Sequence, residues 1–195
     1  MQLIIVTEIW GRTRHVDALG KALGPVCGNV LVVDPYDGKN PCFGSERQAY
    51  AAFTERCGHL EYARRVEQAL PADEKVFLLG FSAGAGAVWS ALGCSTAANI
   101  GGAMCFYGSS IRNIVAESAR SVFSCQAELI FPEYEPHFDV QALISKLRAY
   151  SGVTCQTVPF GHGFMNPLSQ NYDKHGCNIW IKRVSERLER VAAAP

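Results

Sequence analysis

A serine between two glycines is the pattern in this chain with the clearest chemical meaning. Residues 80–84 read Gly-Phe-Ser-Ala-Gly and directly follow the apolar run Val76–Leu79, which predicts a buried strand. The small residues from Ala83 to Ala87 let a helix begin at once. A serine in so tight a strand-to-helix turn projects its hydroxyl from the sheet, above the free N–H groups of the helix start. Ser82 is therefore predicted to be a nucleophile.

Two other interpretations of these glycines are weaker. An ordinary Gly/Ser turn would have the same composition, but it would not need a strand before it and a helix after it. A phosphate-binding loop would need the lysine of a Walker motif or the third glycine of a dinucleotide fingerprint, and neither is present.

A serine hydroxyl needs a base, and in strand–turn–helix hydrolases the chain order is serine, acid, histidine. His162 lies just after the last predicted strand, between two glycines that let the loop bend toward Ser82. We predict that His162 is the base. The other four histidines are disfavoured by their positions. His15 and His59 precede the serine, His137 follows a strand by only a few residues, and His175 lies at the start of the last helix.

The acid that orients the base is predicted to follow the strand Glu128–Phe131. Glu135 is favoured because Pro136 fixes the turn after it. Two alternatives remain: Glu133, which comes almost immediately after the strand, and Asp139, which suits the N-cap of the next helix.

Alternating strands and helices must position these residues. The strands are short, continuous apolar runs, which is typical of a parallel sheet covered on both faces. They are predicted at Leu3–Thr7, Val30–Val33, Val76–Leu79, Gly102–Phe106, Glu128–Phe131 and Val153–Val158. The expected fold is an α/β three-layer, doubly wound sandwich forming one domain over residues 1–195. A long helix is predicted at Glu46–Leu70, the last helix at Asn178–Ala192 and a long loop at Asp34–Ser45.

Composition narrows the function classes. The 195 residues have a formal net charge of zero, which does not favour nucleic-acid binding. No run has the length of a membrane helix and no signal peptide is apparent, so a cytoplasmic protein is expected. The eight cysteines form no Cys-x-x-Cys pair, so no metal site is expected, and without a signal peptide we expect reduced thiols. No cofactor is expected.

Several short motifs, in order along nearly the whole chain, resemble the dienelactone hydrolase family of α/β-hydrolases. Residues 4–11 read Ile-Ile-Val-Thr-Glu-Ile-Trp-Gly, similar to that family's strand followed by Glu-Ile-Phe-Gly. Residues 32–36, Val-Val-Asp-Pro-Tyr, resemble its Pro-Asp-Leu-Tyr. Residues 106–108 and 161–164 resemble its Tyr-Tyr-Gly and His-Gly-Phe. The resemblance implies an α/β-hydrolase fold that lacks the usual first strands.

The resemblance also assigns roles. It implies a catalytic triad of Ser82, Glu135 and His162, and an oxyanion hole formed by the backbone N–H groups of Ile9 and Ala83. Glu8 matches a family glutamate that interacts with the nucleophile in the resting enzyme. A structural alternative for Glu8 is a buried ion pair with Arg12 or Arg14. Side chains expected near the site are Glu8, Trp10, Tyr36, Tyr107 and Phe164.

The chain departs from the family at three positions. Serine stands at the position of a cysteine nucleophile, glutamate at the position of the usual aspartate, and Asn166 where an arginine binds the lactone carboxylate. We therefore expect an enzyme that hydrolyses a small carboxylic ester or lactone other than dienelactone. The alternatives are a thioesterase or other acyl-transfer enzyme, and a non-catalytic binding protein of the same fold. The sequence does not predict the oligomeric state.

Overall fold

One parallel sheet organises the protein. The computed structural model describes residues 1–94, 99–115, 122–136 and 138–194, so His137 lies outside the described residues. The sheet has six strands in the order β2-β1-β3-β4-β5-β6, every neighbouring pair parallel. The strands are β1 (Gln2–Val6), β2 (Asn29–Val33), β3 (Val76–Phe81), β4 (Ile100–Phe106), β5 (Val122–Pro132) and β6 (Ser151–Val158). This confirms the predicted fold class and its strands.

Helices cover both faces of the sheet because alternate strand residues point to opposite sides. On β1, Ile4 and Val6 face one apolar core, and Leu3 and Ile5 face the other. The helices are α1 (Arg14–Cys27), α2 (Glu46–Arg56), α3 (Gly58–Ala69), α4 (Ala83–Cys94), α5 (Val140–Leu147) and α6 (Lys174–Ala193). A 3-10 helix spans Ser109–Asn113. Helices α1 and α6 pack on one face, and α2 to α5 on the other.

Two helices differ from the sequence-based expectation. The helix predicted at Glu46–Leu70 is two helices, because the backbone leaves the helical conformation at Cys57 and Gly58 has a φ of +69°. The last helix begins four residues earlier than Asn178, at Lys174. Its start is fixed by Asp173, whose carboxylate accepts a hydrogen bond from the Gly176 N–H at 2.6 Å.

Apart from the exposed Cys42, the cysteines whose side chains the structure describes are buried or half-buried. Those described as free thiols are Cys27, Cys42, Cys57, Cys105, Cys125, Cys155 and Cys177. Burial raises the pKa of Cys125 to about 11, which keeps this thiol neutral at physiological pH. Among the helices within the described ranges, none combines the length and apolar character needed to cross a membrane.

The start of α4 packs directly against the end of β1. A Cβ atom on Gly84 would overlap the backbone carbonyl oxygens of Val6 and Thr7. A Cβ atom on Gly80 would lie 2.8 Å from the Ala85 Cα atom. Both glycines are therefore required by the close approach of helix and strand, which places the first residues of α4 beside the loop after β1.

We predict that Gly84→Ala destabilises the protein. Backbone atoms cannot yield as a flexible side chain can, so the free energy of unfolding should fall by about 1–3 kcal/mol. Chemical denaturation of purified protein measures the change. Gly93→Ala, in the last turn of the same helix, is the matched control because its added Cβ atom meets nothing within 4 Å. Equal stability of the two variants would contradict the proposed packing constraint.

Candidate active site

Ser82 occupies a strained turn between β3 and α4. Its φ is +50°, in the left-handed region that residues other than glycine rarely adopt. The backbone on both sides is fixed, since the Ser82 N–H donates to the Phe106 carbonyl at 2.9 Å and the Gly86 N–H donates to the Ser82 carbonyl at 3.2 Å. The strain therefore persists, and it points the hydroxyl away from the sheet.

Ser82, His162 and Glu135 form one hydrogen-bonded chain. The Ser82 Oγ lies 3.0 Å from the His162 Nε2, and the His162 Nδ1 lies 2.7 Å from the Glu135 Oε1. Glu135 is only 5% exposed, so its carboxylate is held in a dry environment. The sequence placed these three residues in separate loops, and the fold brings them together at the carboxyl ends of β3, β5 and β6.

The two alternative acids lie elsewhere. Glu133 is exposed directly after β5. Asp139 caps α5, where its Oδ1 accepts hydrogen bonds from the N–H groups of Gln141 at 2.9 Å and Ala142 at 3.0 Å. Among the three carboxylates considered, it is Glu135 that contacts the imidazole.

The acid sets the protonation behaviour of His162. Burial lowers the pKa of the imidazole, but the hydrogen bond and negative charge of Glu135 outweigh it, and the pKa is raised above its usual value. The charged imidazolium form is thus more stable relative to the neutral imidazole than it is in an unperturbed histidine. This is the form that arises when the histidine takes a proton from a serine.

Two polar side chains that the sequence did not single out donate hydrogen bonds to the backbone of the loop that carries His162. The Ser169 hydroxyl donates to the His162 carbonyl at 3.2 Å, and the Asn171 side chain donates to the same carbonyl at 3.1 Å. Gly163 has a φ of +79°, which allows the chain to bend sharply directly after His162. Isolated Ser and Asn residues after a strand carry no sequence pattern that would distinguish them from other loop residues.

Two residues whose backbone N–H groups lack a partner in the described structure line the groove that contains the serine. Ile9 and Ala83 line the same groove as Ser82 and His162. Within the described part of the chain, neither N–H donates to a backbone or side-chain acceptor. Ala83 is the first residue of α4, so the helix dipole adds positive potential at its N–H. The arrangement can receive a negatively charged oxygen, as the resemblance implied.

Hydrogen bonds fix the orientation of the peptide between Glu8 and Ile9. Its carbonyl oxygen accepts hydrogen bonds from the Gly11 N–H at 3.0 Å and from the Thr7 hydroxyl at 3.1 Å. In a trans peptide the N–H points opposite to the carbonyl, so the Ile9 N–H points away from the Gly11 N–H and the Thr7 hydroxyl. The Tyr36 hydroxyl donates to the Ile9 carbonyl at 2.6 Å and fixes the next peptide.

The groove above Ser82 has a volume of about 890 Å³ and is rich in polar side chains. The aromatic side chains expected near the site do not line this groove: Trp10, Tyr36, Tyr107 and Phe164 are at most 9% exposed, and of these Tyr107 packs against His162 with ring centroids 5.1 Å apart. Their rings pack against other core residues, as Tyr107 and Phe164 do with centroids 5.7 Å apart. The groove walls are instead built from Glu46, Arg47, Tyr50, His59, Ser109, Arg112, Asn113, Tyr134, Gln170 and Asn171.

Glu8 has neutral partners rather than the arginines considered from the sequence. Arg12 pairs with Asp17 at 2.8 Å, whereas Glu8 accepts hydrogen bonds from the Tyr107 hydroxyl and the Asn166 side chain. Burial raises the pKa of Glu8, and these hydrogen bonds and the nearby His162 counter the rise. Glu8, Trp10 and Tyr107 line a second, smaller cavity whose lining does not include Ser82.

Solved structures share this fold over nearly the whole chain. The dienelactone hydrolase-like promiscuous phosphotriesterase P91 from metagenomic libraries is 13% identical, with 97% of this chain and 86% of that chain covered and a TM-score of 0.70. Est1E from Butyrivibrio proteoclasticus is 12% identical, covering 99% and 88%, with a TM-score of 0.65. Esterase PE8 is 15% identical, covering 95% and 91%, with a TM-score of 0.56. The fold is therefore that of dienelactone hydrolase-like α/β-hydrolases.

Sequence comparison gives a nearer relative. No known protein family matches the chain by its sequence profile. The uncharacterized protein YczH of Bacillus subtilis is 31% identical over 180 residues, which cover 88% of this chain and 84% of YczH. At that identity and coverage, the chain belongs to the same family as YczH.

Proposed function

We propose that this protein is a serine hydrolase that cleaves a small carboxylic ester or lactone through an acyl-enzyme on Ser82. The observation that carries the proposal is the hydrogen-bonded chain from Ser82 through His162 to Glu135. It ends on a strained serine that shares a groove with the N–H groups of Ile9 and Ala83. Nucleophile, base, orienting acid and oxyanion donors are the parts that acyl transfer needs.

In the proposed reaction, each of these groups has its own task. The Ser82 Oγ attacks the carbonyl carbon while its proton passes to the His162 Nε2, and Glu135 stabilises the imidazolium. The carbonyl oxygen becomes an oxyanion that accepts hydrogen bonds from the Ile9 and Ala83 N–H groups. The C–O bond to the alcohol then breaks, and His162 returns the proton to the departing oxygen. Water activated by the same histidine releases the acid and restores Ser82.

The structural neighbours support ester chemistry. Their names describe a dienelactone hydrolase-like phosphotriesterase and an esterase. In ester hydrolysis a nucleophile attacks a carbonyl carbon, and in phosphotriester hydrolysis it attacks a phosphorus atom. In both reactions an oxygen on the attacked atom gains negative charge. Asn166 stands where the resemblance expects a carboxylate-binding arginine, so we propose an ester or lactone other than dienelactone.

We predict that a fluorophosphonate probe labels Ser82. The probe reacts with a serine whose proton a base removes, so mass spectrometry should find the adduct on the peptide containing this residue. Ser82→Ala should abolish labelling and reduce hydrolysis of p-nitrophenyl acetate to the small residue left by binding and the oxyanion hole. Ser90→Ala, a serine further along α4, should leave both unchanged. An active, folded wild type that resists the probe would contradict the nucleophile assignment.

We predict that Glu135→Gln depresses kcat strongly. An amide cannot stabilise the imidazolium or hold the productive tautomer, and loss of a triad acid costs about 10⁴-fold in a serine protease. The matched variant is Glu133→Gln, a nearby exposed glutamate, which should retain wild-type kcat. If Glu133→Gln causes the large loss instead, then the acid has been assigned to the wrong residue.

We predict an acid limb in the pH profile of kcat/KM. His162 must be neutral to accept a proton, so activity falls as the pH drops through its pKa. Because Glu135 raises that pKa, the midpoint should lie above the value of about 6.5 that is usual for histidine. An NMR titration of the imidazole should give the same midpoint and a lower one in Glu135→Gln. A midpoint below the usual value in the wild type would show that burial dominates.

The groove does not distinguish an oxygen ester from a thioester. Purified protein should be compared on matched oxygen esters, thioesters and amides with the same acyl group. The proposal expects the highest kcat/KM on oxygen esters or lactones. A clear preference for thioesters would replace the ester assignment with the thioesterase alternative while leaving the nucleophile unchanged.

A further inference from the structure

We propose that Glu8 and Asn166 are positioning residues whose hydrogen bond sets the oxyanion donor and the catalytic base in place relative to each other. The inference rests on the proposed function, because it assigns a role within that reaction. It goes beyond the triad, since neither residue belongs to the hydrogen-bonded chain of Ser82, His162 and Glu135.

The bond joins two loops that come from distant parts of the sequence. Glu8 lies two residues after the end of β1, and its own carbonyl belongs to the peptide that carries the Ile9 N–H. Asn166 belongs to the turn that contains His162, and its N–H donates to the Gly163 carbonyl at 2.8 Å. A shift of the Glu8–Asn166 contact would therefore move the oxyanion donor relative to the imidazole.

Surrounding hydrogen bonds fix the direction of this contact. The Leu168 N–H donates to the Asn166 Oδ1 at 2.9 Å, which identifies the other amide atom as the nitrogen that donates to the Glu8 Oε2. The Tyr107 hydroxyl donates to the Glu8 Oε1 at 2.6 Å. Both carboxylate oxygens of Glu8 therefore accept a hydrogen bond.

The network is partly buried and built from neutral donors. Asn166 is 5% exposed and Tyr107 is fully buried, while Glu8 is half-buried at the edge of the smaller cavity. Among the described residues, no lysine, arginine or histidine forms an ion pair with Glu8. Two directional hydrogen bonds hold a carboxylate in one orientation more strictly than a diffuse charge attraction would.

The Tyr107 ring connects the network to the base. Its ring centroid lies 5.1 Å from that of the His162 imidazole, and its hydroxyl reaches Glu8. Tyr107 has a φ of +42°, so its position is imposed by the structure around it. The imidazole is thus supported by Glu135 on one side and by the ring that carries the Glu8 contact on another.

The geometry allows an exchange experiment. In Glu8→Gln, residue 8 keeps one acceptor oxygen in place of two, so its amide nitrogen faces either the Asn166 nitrogen, where two donors meet, or the Tyr107 hydroxyl, which then loses its acceptor. In Asn166→Asp, two carboxylates meet. In the double variant Glu8→Gln/Asn166→Asp, the amide and the carboxylate change places: the residue-8 oxygen still accepts from Tyr107, and the residue-166 carboxylate accepts from residue 8 and from the Leu168 N–H. The charge of the pair is the same as in wild type.

The experiment measures kcat and KM on p-nitrophenyl acetate, with the melting temperature of each full-length variant. Each single substitution should lower kcat by about 10–100-fold, because small displacements of reacting groups are costly, with KM changed little. The double variant should recover kcat to within about threefold of wild type, since contacting residues are energetically coupled. The control is Asn178→Asp, the same chemical change on the exposed face of α6, which should leave kcat unchanged.

The results separate the possible failures. Single variants that melt at lower temperature but keep wild-type kcat when folded would overturn the inference, because the bond would then serve only the fold. Absence of recovery in the double variant would also overturn it. If Glu8→Gln does not fold, Asn166→Ala takes its place and should show the same loss of kcat. A wild type without esterase activity would overturn the proposed function, and this inference with it.

Discussion

The contact between the start of α4 and the end of β1 is the constraint on which the site depends. Gly84 lets the helix backbone lie against the carbonyl groups of Val6 and Thr7. This approach brings Ala83 and Ile9 to the same groove, next to Ser82 with its φ of +50°. The two N–H groups proposed as oxyanion donors come from elements far apart in sequence, and they reach one groove because a single position lacks a side chain.

Most of the fold follows from patterns that are local in sequence. Continuous apolar runs indicated each strand of the sheet, and the glycines around Ser82 indicated the turn, because both depend on neighbouring residues alone. The long helix was predicted as one element that ends before Pro71. The left-handed conformation at Gly58 interrupts it, and a single glycine does not reveal such a break.

The supporting contacts of the site could not be predicted in the same way. The hydroxyl of Tyr62, on α3, donates to the Thr7 carbonyl at 2.8 Å, although 55 residues separate them. The Asn166–Glu8 contact spans 158 residues. Asparagine, threonine and tyrosine occur in loops and cores throughout proteins, so only the tertiary structure distinguishes these residues from others of their type. The same reason explains why aromatic residues expected in the pocket are core residues.

The break at Gly58 has a consequence for how this protein can change over evolution. It makes α2 a separate short helix, and the groove residues Glu46, Arg47 and Tyr50 all lie in its first two turns. The reacting groups instead lie on the turns that directly follow β1, β3, β5 and β6. Substitutions on α2 can therefore alter which molecules enter the groove without disturbing the strands that align the reaction. The α2 wall of the groove can therefore diverge while the turns that carry Ser82, Glu135 and His162 are retained.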